Sequence, residues 1–315
     1  MKLAVPLFAA LLTFAGAAYA ETAAFAPQPV PYSNARNVQF DMPSKISGRT
    51  YRIFVHTPRT PPPPGGYPVL FISDGNTTFP ITAGQAELEG LMGGHMLVVA
   101  IGYPTDDPGA LISVRTRDLT PSPPMPPPPP GSGMSAKPED YGGGEQFYRF
   151  ITEELRPSIA ATYKVDPKDQ SLYGHSLGGL FTLGVLFHHP DAFRGFIASS
   201  PSIWWNDREV LKGEADFSKA VESGRAQPRI LIEVGGMEQT PPAKPPGMST
   251  AQYEAAKAGM ERSRMVGNAV DLADRLSKLK GGPGYEVRKQ VFEREDHIST
   301  MAASMSRALT FAEKR

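Results

Sequence analysis

The chain contains no cysteine. That single absence removes a thiol nucleophile, thiolate metal sites and disulfides together. A chain of 315 residues can bury a core large enough to do without cross-links. An excess of charge of either sign is missing too: 32 Lys and Arg face 32 Asp and Glu. No overall field therefore draws nucleic acid or an anionic membrane surface to it, and there is no basic tail or nucleic-acid motif. Long apolar runs are missing as well, and even the apolar run near the start is short. No later segment approaches the roughly 20 apolar residues that a membrane-spanning helix needs, so the mature chain is expected to have no membrane span.

The first twenty residues, MKLAVPLFAALLTFAGAAYA, combine Lys2, a short apolar core from Leu7 to Phe14 and the A-x-A signal Ala18-Tyr19-Ala20. This pattern reads as a signal peptide cut after Ala20. Its apolar run is short for a membrane anchor, and the cut site lacks the cysteine of a lipoprotein. An exported, periplasmic protein is expected, with one domain over residues 21–315.

The 33 prolines are clustered. TPRTPPPPGG (Thr57 to Gly66) and TPSPPMPPPPPGSG (Thr120 to Gly133) should be extended, solvated segments, because proline fixes φ and removes the donor that a sheet ladder needs. The first is expected to be a rigid, hairpin-like connection, the second an insertion loop. Elsewhere, strand-like and helix-like runs alternate. NVQFDM and RTYRIFVHT alternate in period two, and should pair antiparallel at one sheet edge. YPVLFIS and HMLVVAIGY are short apolar runs of the buried parallel kind. GEQFYRFITEELRPSIAATY places Phe147, Phe150, Ile151, Leu155 and Ile159 at helical spacing. The strands SLYG, GFIASS and RILIEVG then alternate with helices. A long helix is predicted from Ala251 to Leu279 behind a Ser249–Gln252 capping box. The strand YEVRKQVF and a final helix follow. This order predicts an α/β architecture, a mostly parallel sheet with helices on both faces.

In that frame YGHSLGGLF stands out. Gly174-His175-Ser176-Leu177-Gly178 matches G-x-S-x-G at the junction of a strand and a helix. The turn it builds holds a serine hydroxyl above the carboxyl ends of the strands. Gly174 and Gly178 leave room for the turn, and the N–H of Leu177 opens the helix where an oxyanion would form. A serine needs a base, and the chain has six histidines. His56 and His95 belong to early strands. His175 adjoins the serine and should point away from its hydroxyl. His188 and His189 end the helix that Ser176 begins. His297, in EREDHIST between the last strand and the last helix, remains. The acid should follow the strand RILIEVG, which selects Glu238 in GGMEQT. Glu233 lies inside the strand, Asp271 within a helix, and Asp296 beside the histidine itself. A Ser–His dyad without an acid is the alternative. The loop FISDGNTTF offers Gly75 for a turn and the N–H of Asn76 as a second oxyanion donor.

YGHSLGGLFTLGVLFHHPDAFRGFIASSPSIWW, with DGNTTF, IGYPTDD, RTRDLTP, FYRFITEELRPSI and DHIST, resembles the esterase D-like branch of the α/β-hydrolase superfamily. Within it the chain is most similar to ferric-siderophore esterases acting on enterobactin- or bacillibactin-type trilactones. The resemblance covers nearly all of the mature chain. It implies the α/β-hydrolase fold, Ser176 as nucleophile, His297 as base, and Leu177 and Asn76 as oxyanion donors. For Glu238 it leaves triad and dyad open. The proline run Pro121–Pro130 departs from the family pattern.

Pocket candidates follow. Trp204 and Trp205 in SPSIWWND could stack on aromatic acyl groups or pack the core. Arg115 and Arg117 in RTRDLT could attract an anionic ferric catecholate, or pair with Asp118. The expected activity is ester hydrolysis through an acyl-enzyme on a small-molecule substrate, with no metal or cofactor needed. The alternatives are a short-chain, feruloyl or acetyl esterase, an acyltransferase, and a non-catalytic binding protein on a hydrolase scaffold. Nothing in the sequence names a protein partner.

Overall fold

The computed structural model describes residues 30–126, 135 and 137–313. The expected leader and residues 127–133 of the second proline run lie outside them. Within Asn34–Arg315 eight strands form one sheet: β1 (Asn37–Pro43), β2 (Thr50–His56), β3 (Tyr67–Ile72), β4 (Leu97–Gly102), β5 (Val165–His175), β6 (Gly195–Ser199), β7 (Arg229–Gly235) and β8 (Glu286–Phe292). Their order across the sheet is β1-β2-β4-β3-β5-β6-β7-β8. β1 and β2 pair antiparallel at the edge, with Phe40 opposite Ile53, and β2 is antiparallel to β4. Every other pairing is parallel. β3, β4 and β6 are buried at every position, as continuous apolar strands between two helical layers must be.

The helices are α1 (Gly75–Leu91), α2 (Pro108–Leu119), α3 (Gly144–Arg149), α4 (Arg156–Thr162), α5 (Leu177–His188), α6 (Glu214–Glu222), α7 (Thr250–Ser263), α8 (Met265–Leu276) and α9 (Ser299–Glu313). Phe79 and Ala83 of α1, with Met305 and Leu309 of α9, pack on one face against Ile72, Val98 and Tyr173. Phe147, Leu180, Leu183, Val221 and Leu272 pack on the other against Val69, Leu172, Phe196 and Ile232. This is the mostly parallel α/β-hydrolase sheet with helices on both faces. A π-helical turn, Phe150–Leu155, joins α3 to α4. Ile151, Leu155 and Ile159 recur every four residues, a spacing that drifts around an ordinary helix. The wider turn keeps all three buried on one side.

Two expectations need correction, and one helix was not foreseen. The Thr57–Gly66 segment is no hairpin, because β2 pairs with β4 and the connection leads to β3 one strand further on. Helix α2, which the sequence reading did not assign, starts where Asp107 caps the N–H of Ala110 at 2.7 Å with Pro108 following. The single helix expected over 251–279 is two. Ser249 and Gln252 do form the capping box, but Arg264 adopts φ 44° and ends α7. The side chain of Asn268 donates to the carbonyl of Ser263 exposed by the break. The break separates α8, which buries Met265, Ala269, Leu272 and Leu276, from α7, which buries no residue.

Under α9 lies a buried carboxyl. Glu233 accepts from Ser304 Oγ at 2.6 Å, and Ser304 also bonds the Tyr173 hydroxyl at 3.0 Å. The second carboxyl oxygen, Oε1, has no hydrogen-bond partner. Burial pushes this group up from 4.5 to about 8. The folded value exceeds the unfolded one, so its contribution to stability is fully present below about pH 4.5 and is lost as the pH rises toward about 8. Glu233→Gln, which cannot ionise, should raise Tm above pH 8 and change it little at pH 5. Unchanged pH dependence of Tm in thermal unfolding would contradict the buried neutral carboxyl.

Candidate active site

The carboxyl ends of parallel strands share one edge of the sheet, so the segments that follow β3, β5, β6, β7 and β8 converge there. Those segments carry Asp74 and Asn76, Ser176, Ser200 and Trp204, Glu238, and His297 respectively. Residues far apart in sequence meet for that reason alone.

Ser176 occupies φ 60°, ψ −117° between β5 and α5, a left-handed backbone that a non-glycine residue holds only when its surroundings over-determine it. Its N–H donates to the Ser199 carbonyl at 3.0 Å, and its own carbonyl accepts from Leu180 and Ser202. A Cβ on Gly174 would collide with the Gly178 carbonyl, and one on Gly178 with Ser73 Oγ. The two glycines thus permit the elbow to close on itself and on the neighbouring β3–α1 turn. That turn is built alike: Asp74 sits at φ 60° just before α1, so the left-handed residue is Asp74, beside the expected Gly75. The side chain of Asn76 is used structurally. Its Oδ1 accepts from Tyr103 N at 2.8 Å and its Nδ2 donates to Tyr103 O at 2.9 Å. As second residue of α1, Asn76 has a main-chain N–H without an intrahelical acceptor, and Leu177, first in α5, likewise.

The Nε2 of His297 stands 2.9 Å from Ser176 Oγ, and its Nδ1 stands 2.6 Å from Glu238 Oε2. Glu238 is 3% exposed. Its Oε1 accepts from Gly235 N at 2.7 Å and from the Ser200 hydroxyl. Burial by itself would raise this carboxyl, but hydrogen bonds from His297 and Ser200 outweigh burial and hold it below the ordinary carboxylate value. Glu238 is therefore ionised at neutral pH. Ser200, itself at φ 41°, escaped the sequence reading, which looked only for a partner to the histidine.

His175, expected to point away from the Ser176 hydroxyl, makes its side-chain hydrogen bond to Ser199 and not to Ser176. Its ring packs against that of His297, with centroids 4.7 Å apart, and Nδ1 lies 3.1 Å from Ser199 Oγ. Burial, reinforced by the nearby His297, lowers it to about 4, so it backs the second imidazole as a neutral ring.

An apolar hollow of about 560 Å³ opens beside Ser176, lined by Trp204, Met237, Met260, Met265 and Ile298 among others. A second hollow of about 350 Å³ lies on the α1–α2 side, lined by Asn76, Leu111, Ile112 and Arg115. Ser176 and His297 line both. The four proposed substrate contacts divide. Trp204, 37% exposed, faces the larger hollow. Trp205 is 1% exposed, tilts against Tyr141, and donates its indole N–H to the Ser122 carbonyl at 3.2 Å; it belongs to the core. Arg115 reaches the smaller hollow but is bound through two bonds, 2.7 and 2.9 Å, to Asp74, and not to Asp118. Asp118 is buried against the Tyr103 hydroxyl. Arg117 points to Gln146 at 3.2 Å and lines neither hollow.

A family model described as "Putative esterase" matches residues 44–269. The chain is 37% identical over 276 residues to ferri-bacillibactin esterase BesA of Bacillus subtilis, covering 86% of this chain and 87% of that one. It is 35% identical over 297 residues to the siderophore triacetylfusarinine C esterase of Aspergillus fumigatus, covering 90% and 94%. Among solved structures it resembles the siderophore hydrolase EstA of Aspergillus nidulans, with TM-score 0.76, 30% identity and 92% and 99% coverage.

Proposed function

This chain belongs to the esterase family whose model it matches, and we propose from that premise that it is a serine esterase hydrolysing the ester bonds of ferric siderophores. The observation that carries the catalytic reading is the continuous chain from Ser176 through His297 to Glu238, at 2.9 and 2.6 Å. The substrate class rests on the relatives named above.

The chemistry follows the geometry. His297 Nε2 takes the Ser176 proton as Oγ attacks the ester carbon. Glu238 holds the Nδ1 proton on its own side and stabilises the imidazolium that forms. The N–H groups of Leu177 and Asn76 receive the oxyanion. Collapse of the tetrahedral adduct expels the alcohol, which takes the proton from His297 and leaves an acyl-enzyme. Water then repeats the sequence and frees Ser176. The apolar hollow beside Trp204 suits a bulky group on one side of the scissile bond, and the α1–α2 hollow takes the other.

The leader pattern over residues 1–20 supports a periplasmic location for a mature chain forming one esterase domain. No helix among the described residues is long and apolar enough to cross a membrane. Mass spectrometry of products from iron-loaded and iron-free trilactones, feruloyl esters and nitrophenyl acyl esters tests the substrate class. Release of linear or monomeric catecholates at the highest kcat/KM is expected. Turnover of the other esters alone would replace this reading with the general-esterase or acyltransferase one.

A further inference from the structure

On the siderophore reading, the site has to recognise the negative charge of its substrate. The two arginines that the sequence pointed to are spent: Arg115 is neutralised by Asp74, and Arg117 turns to Gln146. A third arginine is placed differently. A groove of about 350 Å³, lined by Trp204, Gly259, Arg262 and Ser263, adjoins the main hollow and shares Trp204, Gly259 and Ser263 with it. The guanidinium of Arg262 lies over the bare Cα of Gly259, for a Cβ there would stand 4.0 Å from Nη2. No carboxylate among the described residues pairs with Arg262.

Two acidic groups, Glu238 and Asp296, line the main hollow, and each already carries hydrogen bonds of its own. Asp296 accepts from the N–H groups of Ile298 and Ser299 at 3.0 and 2.9 Å, and Glu238 is buried on His297. Helix α7 also needs a reason to be there. It buries none of its own residues in the core, yet Gly259, Met260 and Ser263 line the hollow. Its site-facing surface is shaped for something other than packing.

We propose that Trp204 and Arg262 form an accessory subsite for an anionic aromatic group of the substrate, such as a metal-bound catecholate arm. The ring lies on the exposed indole, the oxygens meet the guanidinium, and a neighbouring ester reaches Ser176. A planar guanidinium can both stack on an aromatic ring of the substrate and pair with its oxyanions, which a lysine would do less well.

The test compares wild type, Arg262→Gln and Arg262→Lys on an iron-loaded catecholate trilactone and on neutral 4-nitrophenyl butyrate. Arg262→Gln should raise KM for the trilactone about 10-fold, leave kcat within about two-fold, and flatten the salt dependence of kcat/KM. Arg262→Lys should recover the salt dependence but only part of KM. Hydrolysis of the butyrate should stay within about two-fold. An unchanged KM for the trilactone, or an equal rise for both substrates, overturns the subsite. Should wild type cleave the butyrate but no trilactone, the siderophore reading fails, and the subsite is tested on its own. A sulfonated naphthyl butyrate is then compared with its unsulfonated parent. Arg262→Gln must erase the wild-type preference for the sulfonated ester, and failure to do so overturns the subsite too.

Discussion

Ser176→Ala is expected to lower kcat for ester hydrolysis by at least about 10⁴-fold, with Tm close to wild type and KM little changed. The substitution removes one oxygen and nothing that shapes the elbow. The left-handed turn is held by main-chain hydrogen bonds, from Ser176 N–H to Ser199 and from the N–H groups of Leu180 and Ser202 to the Ser176 carbonyl, all of which alanine can make. What disappears is the atom 2.9 Å from His297 Nε2. The remaining rate should come from the N–H groups of Leu177 and Asn76 acting on attack by water. Steady-state kinetics with any turned-over ester checks this. A variant retaining a tenth of wild-type activity would move the nucleophile elsewhere.

Glu238→Gln should be nearly as damaging, by about 10³- to 10⁴-fold in kcat, and the reason is directional. One oxygen of Glu238 is claimed by two donors, Gly235 N–H and the Ser200 hydroxyl. A glutamine at this site must give its oxygen to them and turn its NH₂ toward His297 Nδ1. The imidazole then accepts at Nδ1 and carries its proton on Nε2, facing Ser176, where it cannot act as a base. The same constellation separates triad from dyad. If Ser176 and His297 suffice by themselves, the loss in kcat will be under about 10-fold. Because hydrogen bonds hold the Glu238 carboxyl below its ordinary value, it stays ionised under mildly acid conditions, and loss of activity there should not be traced to it.

Legibility from sequence followed the reach of each interaction. Ser176 could be read because a strand, two glycines and an apolar helix fix its turn locally. That His297 and Glu238 would stand beside Ser176 could be read because chain order in a parallel sheet dictates which loops share an edge. Both arguments use topology and no side-chain detail. Tryptophans 204 and 205 could not be told apart, since adjacent residues in an irregular turn point to different sides by amounts that only the tertiary path sets. Arg115 was found at the site but not its partner, because Asp74 lies 41 residues away across the α1–α2 gap. The helix break at Arg264 has no glycine or proline to announce it. It follows from α8 docking on the sheet while α7 stays over the hollow, a distinction the apolar pattern of a continuous 29-residue reading averages away. The ring contact of His175 with His297 could not be read, because it depends on where a loop near the other end of the chain comes to rest.

Everything central turns on Ser176 being the atom that becomes acylated. The direct measurement is peptide mass spectrometry after treatment with a fluorophosphonate. The account predicts one adduct per chain, on the peptide carrying Ser176, with ester hydrolysis lost in step with labelling. An adduct on another residue, or full hydrolysis by a chain whose Ser176 is blocked, would contradict it.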